Sequence, residues 1–279
     1  MKTVKTTMRK LLFVSVLSIV QISWAGPLGT LFLTDGDNST NVAITGTTVT
    51  TFAQATNTDT GGAGDEYAIA VPSTIRTLGN GNQGGSGTQE FSGSEYQLDG
   101  TPTGVTYAYP LSTGGDFYDG GTDGVNNFSV DYSTGNVYDF GLDWSNPGYL
   151  FTTQSGDLGI TYDPVNQSLW ISGYAGTDVS DYSLTGTLLS SFTAAAPVFG
   201  LAMDYTDDTL WADGQGTLYQ YSRTGAELST FDDGLTLNTL GAEFQFPSAT
   251  PEPGTAFLGI AGLLAMAMGL AQRRIRAKK

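Results

Sequence analysis

Two long stretches of this chain are copies of one another. GITYDPVNQSLWISGYAGTDVSDYSLTGTLLSSF begins at Gly159 and GLAMDYTDDTLWADGQGTLYQYSRTGAELSTF begins 41 residues later at Gly200; GAEFQF opens after another 41, at Gly241. In each complete copy an Asp (Asp163, Asp204) stands seven residues before a Trp (Trp170, Trp211). A Thr-Gly turn (Thr185 and Gly186, Thr224 and Gly225) and an apolar strand ending in Phe (Phe192, Phe231) follow. Fainter copies lie upstream. FSVDYSTGNVYDFGLDW sets Asp131 seven residues before Tyr138, LFLTDGDNSTNVAITGTTVTTF from Leu31 to Phe52 matches the second half of a copy, and a degenerate unit fills about 65–110. A repeat of this length, built from short alternating runs bounded by turn residues, is a four-stranded blade.

The ends of the array carry a second constraint. It starts at Leu31 with a unit lacking its first strand and finishes near Phe246 with a first strand lacking its unit. Pairing the two closes a ring and hides the sheet edges that would otherwise template aggregation. The expected fold is therefore an all-β propeller of about five blades, six being the other count compatible with the length, and a two-sheet β-sandwich is the alternative. The blade pattern resembles the NHL, YVTN and related propeller repeats.

Charge divides the chain sharply. Of the 27 acidic residues only Glu252 lies outside Gly26–Thr250, whereas Arg76 and Arg223 are the only positive residues inside it, so the body carries −24. Such a surface repels phosphate backbones and anionic lipid, which excludes nucleic acid as a partner. With no Cys and no His, thiol nucleophiles, zinc–thiolate sites, His-based triads and His-ligated metals are excluded too.

What remains open is carboxylate chemistry. TDGDNST (Asp35, Asp37), DFYDGGTDG (Asp116, Asp119, Asp123) and DYTDD (Asp204, Asp207, Asp208) could each offer oxygens to Ca²⁺, although none matches an EF-hand loop and solvated loop charge is the simpler reading. The Asp at 131, 163 and 204 is expected to cap a turn through backbone N–H groups. Trp170 and Trp211, beside Leu169 and Leu210, are expected to pack between blades. A glycosidase needs only two carboxylates, but nothing singles out a pair among 26. No catalytic residue is therefore assigned and no cofactor is required, calcium being the one candidate. GNGNQGGSG from Gly79 lacks the Lys-Ser/Thr of a phosphate loop and reads as a connection.

Both ends carry address-like segments. Residues 1–25 hold a basic start (MKTVKTTMRK), an apolar run (LLFVSVLSIVQI) and SWA, the form of a signal peptide cleaved after Ala25 by signal peptidase following Sec export. The body spans 26–247. A linker, 248–254, contains Pro251, Glu252 and Pro253; 255–271 is uncharged and just long enough to span a bilayer; the tail, 272–279, carries Arg273, Arg274 and Arg276 as a cytoplasmic stop.

This terminal order closely resembles the PEP-CTERM sorting signal of Gram-negative bacteria, with Thr250 where Val is common. The resemblance covers about 30 residues. It implies processing by an exosortase near the motif, a host that makes exopolysaccharide, and delivery through the inner membrane to the cell surface or biofilm matrix. Together these features predict an exported, non-enzymatic structural or binding protein, with exopolysaccharide as one partner. An extracellular carboxylate-dependent carbohydrate-active enzyme and a calcium-dependent adhesin are the alternatives.

Overall fold

The computed structural model describes residues 26–55, 66–79, 93–111, 115–235 and 239–247. Ala25, the Pro251–Glu252–Pro253 motif, Arg273, Arg274 and Arg276, and most of the GNGNQGGSG run lie outside them.

Five four-stranded antiparallel sheets stand around one axis. Blade I consists of β1 (Thr30–Asp35), β2 (Thr40–Thr45) and β3 (Thr48–Ala53), completed on the inside by β20 (Gly241–Phe244) from the far end of the array. Blade II holds β4 (Glu66–Ala70), β5 (Ile75–Gly79), β6 (Gly93–Tyr96) and β7 (Pro102–Tyr107). Blade III is β8 (Gly121–Thr122), β9 (Asn126–Val130), β10 (Asn136–Gly141) and β11 (Gly148–Thr152). Blade IV runs from β12 (Asp157–Asp163) through β13 (Ser168–Gly173) and β14 (Gly176–Ser183) to β15 (Leu188–Val198). Blade V comprises β16 (Gly200–Asp204), β17 (Thr209–Asp213), β18 (Thr217–Tyr221) and β19 (Glu227–Asp232). The innermost strands β4, β8, β12, β16 and β20 touch in that order and close the circle. The count is five, and the expected closure is made: Leu31 pairs Phe244 and Thr34 pairs Gly241.

Burial falls from the axis outward. β12, β16 and β20 are buried at every position, while β3 has none buried. An innermost strand is packed on both faces by neighbouring blades, so its residues read as continuous small or apolar runs (GLAM, GITY) rather than as alternation. Apolar clusters fill each of the five inter-blade spaces. Leu31, Leu33, Val42 and Ile44 of blade I, for example, meet Ala202, Trp211 and Phe231 of blade V. Trp170 and Trp211 are 1 % and 2 % exposed and lie in two of these spaces, as expected.

The Thr-Gly turns have a tertiary role. Gly186 and Gly225 have φ of +81° and +82°, and each lies against a Phe on the outermost strand of the preceding blade, Phe151 and Phe192 respectively. The repeat thus encodes a blade-to-blade lock, in which a left-handed glycine takes the neighbour's ring where a Cβ could not fit.

One upstream copy needs correcting. Asp131 follows β9, the second strand of blade III, whereas Asp163 and Asp204 end the first strands of theirs. The FSVDYSTGNVYDF match is displaced by one strand, and its true counterpart is LFLTDGDNSTNVAIT of blade I. The real first strand of blade III lies in DFYDGGTDG, where β8 is two residues long and carries no apolar run.

Candidate functional site

The 41-residue spacing puts Gly159, Gly200 and Gly241 at equivalent places on the innermost strands, and Asp119 takes the corresponding place in blade III. Its carboxylate is fully buried on the axis. Oδ1 accepts the N–H groups of Gly120 and Ala242, both at 2.8 Å, and Oδ2 those of Ile160 and Leu201, both at 2.9 Å. One side chain thereby ties blades I, III, IV and V together. Burial pushes its carboxyl well above the usual carboxylate range, and the four N–H donors oppose that rise.

Next to Ala242 on the same strand lies Glu243, also fully buried. Oε1 accepts Phe244 N–H at 2.9 Å and the Tyr205 hydroxyl at 3.3 Å, and Oε2 accepts the Thr161 hydroxyl at 3.2 Å. Thr161 Oγ1 in turn accepts Met203 N–H at 3.0 Å. Desolvation raises the Glu243 carboxyl, and the nearby Asp119 charge raises it further. Beyond this layer Phe246 packs on Tyr162 and Tyr205. In blade II, Glu66 accepts hydroxyls from Tyr96 at 2.6 Å and Thr77 at 2.7 Å. Of these carboxylates Asp119 and Glu243 are committed to holding the blades together, whereas Glu66 bonds within its own blade.

An accessible concavity lies at the other end of the axis, where innermost strands begin and second strands turn into third strands. It has a volume of about 280 Å³ and is lined by Asp37, Tyr67, Tyr118, Tyr132, Leu158, Tyr174 and Leu240. Tyr67, Tyr118, Leu158 and Leu240 come from the starts of four innermost strands, Tyr132 and Tyr174 from the turns after β9 and β13, and Asp37 from the turn after β1. Consecutive tyrosines meet edge to face: Tyr67–Tyr118 at 5.2 Å and 75°, Tyr118–Tyr132 at 5.7 Å and 89°, Tyr132–Tyr174 at 6.0 Å and 84°. Phe199 continues the arc against Tyr174. The Tyr67 hydroxyl donates to Asp37 Oδ1 at 2.6 Å.

The acidic segments are dispersed rather than gathered. Asp35 caps its own turn, accepting Asn38 N–H at 3.1 Å and Asn38 Nδ2 at 2.7 Å. Asp116 contacts the Ser133 hydroxyl on the pocket face, Asp119 is on the axis, and Asp123 caps a turn at the opposite face through Val125 and Asn126 N–H. Asp204 caps the turn at Thr206, Asp207 accepts from Thr209 and Gln220, and Asp208 lies 3.5 Å from Arg223. Asp131 and Asp163 cap turns as expected, through Ser133 N–H and through Val165 and Asn166 N–H. Among the described residues no three carboxylates converge in a way that could hold a metal ion.

The tyrosine pocket was not singled out in the sequence, because its residues belong to different blades. A trace existed: Tyr118, Leu158, Phe199 and Leu240 each sit one position before the Asp119, Gly159, Gly200, Gly241 series.

Fold and mouth together define a five-bladed β-propeller with an aromatic axial pocket. No protein-family model matches the chain, and no curated protein matches its sequence. Among solved structures it is similar to a chain of the nidogen/laminin complex, with 13 % identity over 77 % of this chain and 97 % of that one and a TM-score of 0.51. Looser likeness extends to a protein of unknown function from Bacteroides caccae (11 % identity, 74 % and 73 % covered, TM-score 0.45). A virginiamycin B lyase from Staphylococcus aureus is similar at 14 % identity, 71 % and 65 % covered, with a TM-score of 0.42. At these identities the likeness concerns the fold.

Proposed function

We propose that this protein is a non-catalytic binding module presented outside the cell, with its ligand seated in the pocket between Tyr67, Tyr118, Tyr132 and Tyr174. The observation that carries this is the division of labour along the axis. The deep carboxylates Asp119 and Glu243 are buried and spent on backbone and hydroxyl donors, while the pocket at the open end is lined by aromatic walls and, among its lining residues, one carboxylate, Asp37. General acid–base cleavage of a glycosidic bond takes two carboxyl groups facing one substrate. A ring of aromatic faces over an apolar floor is the composition of a binding site.

Export completes the reading. The N-terminal signal segment and the PEP-CTERM-like tail, handled by signal peptidase and an exosortase, carry the propeller to the cell surface or matrix. Both ends of the described body support such a presentation. Pro27 bonds the β2–β3 turn at Gly46 and Phe246 packs on Tyr162 and Tyr205, so residues 26 and 247 both lie on the face away from the pocket. Attachment through either end points the pocket outward.

Two measurements test this. Intact mass of the protein recovered from the producing organism should lack residues 1–25 and the segment beyond the Pro251–Glu252–Pro253 motif; retention of residues 254–279 in the extracellular form overturns the sorting reading. Titration with small uncharged saccharides and small ammonium compounds, followed by tyrosine fluorescence, should show saturable binding without turnover. Turnover abolished by one carboxylate substitution overturns the non-catalytic reading.

A further inference from the structure

Resting on that binding function, the geometry points to an alkylated ammonium ion, with its methyl groups against the tyrosine rings and its charge toward Asp37, as the ligand class of the pocket. Three independent features converge on a cation of this kind.

The first is the arrangement of the rings. Successive tyrosines are turned by 75°, 89° and 84°, so the wall presents faces in several directions rather than one flat platform. A sugar ring stacks on a flat face, whereas a compact cation is attracted to each aromatic face that surrounds it.

The second is charge. Arg76 reaches Leu142 O, in the turn between the third and fourth strands of blade III, and Arg223 pairs with Asp163 at a first-to-second-strand turn. Both positive side chains of the body are therefore on the face opposite the pocket. The pocket face carries Asp35, Asp37, Asp131 and Asp157 at strand ends and turns. That field attracts a cation and repels anionic ligands, uronate-containing polysaccharides among them.

The third is size. At about 280 Å³ the cavity lies at the lower limit of ligand pockets, which fits a headgroup-sized molecule better than an extended glycan. Leu158 and Leu240 supply an apolar floor, so a hydrophilic ammonium lacking carbon substituents would lose hydration there without recompense.

The test uses the full chain in a polyoxyethylene detergent, with choline as the cationic probe, 3,3-dimethylbutan-1-ol as its uncharged isostere, and glucose and cellobiose as neutral saccharides. Choline should give a saturable tyrosine-fluorescence change, and the isostere should bind about tenfold or more weakly. Tyr174→Leu and Asp37→Asn should each weaken choline by about tenfold; both side chains are exposed, so unchanged melting temperatures will show that the variants are folded. Phosphatidylcholine vesicles form a parallel arm: co-sedimentation competed by free choline assigns the ion to a lipid headgroup, and choline binding without co-sedimentation assigns it to a soluble compound. Equal affinity for choline and its isostere, or Tyr174-dependent binding of a saccharide with none of choline, overturns the cation proposal and leaves the binding function standing. Silence of every probe removes both.

Discussion

Oδ1 of Asp119 accepts the backbone N–H of Ala242 at 2.8 Å across 123 positions of sequence. Ala242 lies on the strand that closes the ring, so the bond ties blade III to the closure itself. The same carboxylate serves blades IV and V through Ile160 and Leu201. Four donors shared evenly between two oxygens make the site intolerant of any group that donates.

Asp119→Asn should therefore be strongly destabilising, although it is isosteric. The amide nitrogen would face either Gly120 and Ala242 or Ile160 and Leu201, leaving two buried N–H groups unmet at about 1–3 kcal/mol each. Chemical denaturation should show a loss of roughly 2–6 kcal/mol for Asp119→Asn, and a larger loss or no folded protein for Asp119→Ala, which leaves all four groups unmet. Wild-type stability of Asp119→Asn would remove the axial clamp from the account of the fold.

Asp213 gives a pH signature. It is buried at the pocket face, accepts Gln215 N–H at 2.8 Å and contacts the Thr239 hydroxyl. Burial, with smaller contributions from the Asp233 and Asp35 charges, pushes its carboxyl up to about 7. A raised carboxyl holds its proton in the folded state after the unfolded chain has released its own near pH 4. Its contribution is thus full below that value and is lost as pH climbs to about 7. Denaturation midpoints measured from pH 4 to 8 should show this decline, and Asp213→Asn, which can still accept from Gln215 and donate to Thr239, should flatten it.

Gly225 tests the lock between blades. An alanine Cβ there would lie 2.4 Å from the Cβ of Phe192, at a φ of +82° that side chains resist. Gly225→Ala should cost about 2 kcal/mol or more, read from the shift in denaturation midpoint. Because the nearest contact is a Cβ that alanine also carries, the double variant Gly225→Ala, Phe192→Ala should recover little of that loss.

Arg223 reaches Asp163 at 2.9 Å, joining the turn after β18 to the turn after β12 in the neighbouring blade. Asp163 is fully buried, yet it also accepts Val165 N–H, Asn166 N–H and, at 3.3 Å, the indole N–H of Trp170. Because those donors persist and Arg223 is partly exposed, Arg223→Met should cost about 1–3 kcal/mol, below the usual loss for a severed buried pair. A double-mutant cycle with Asp163→Asn measures the coupling directly.

Much of this architecture could be read from the chain. The Gly159, Gly200 and Gly241 periodicity gave the blade length. The half-units at Leu31 and Gly241 gave the closure, and the position of Trp170 and Trp211 within apolar runs gave their burial. Blade III was misplaced by one strand because Asp119, Gly120 and Gly121, leading into its short innermost strand, stand where a hydrophobic pattern would be sought. DFYDGGTDG looked like one acidic loop, yet its three carboxylates serve a pocket-face turn, the axis and a turn on the far face.

The sequence alone determines what recurs: strand lengths, turn glycines and inter-blade aromatics, each set by contacts repeated at a fixed interval. It also carries the charge asymmetry of the body, two arginines against 26 carboxylates. Tertiary structure alone decides what happens once per ring. Whether an aspartate is a solvated loop charge or a fully desolvated clamp depends on which N–H groups from distant strands converge on it, and no local pattern records that convergence. The pocket has the same origin: Tyr67, Tyr118, Tyr132 and Tyr174 belong to three separate blades, and only the packing of those blades brings them around one volume.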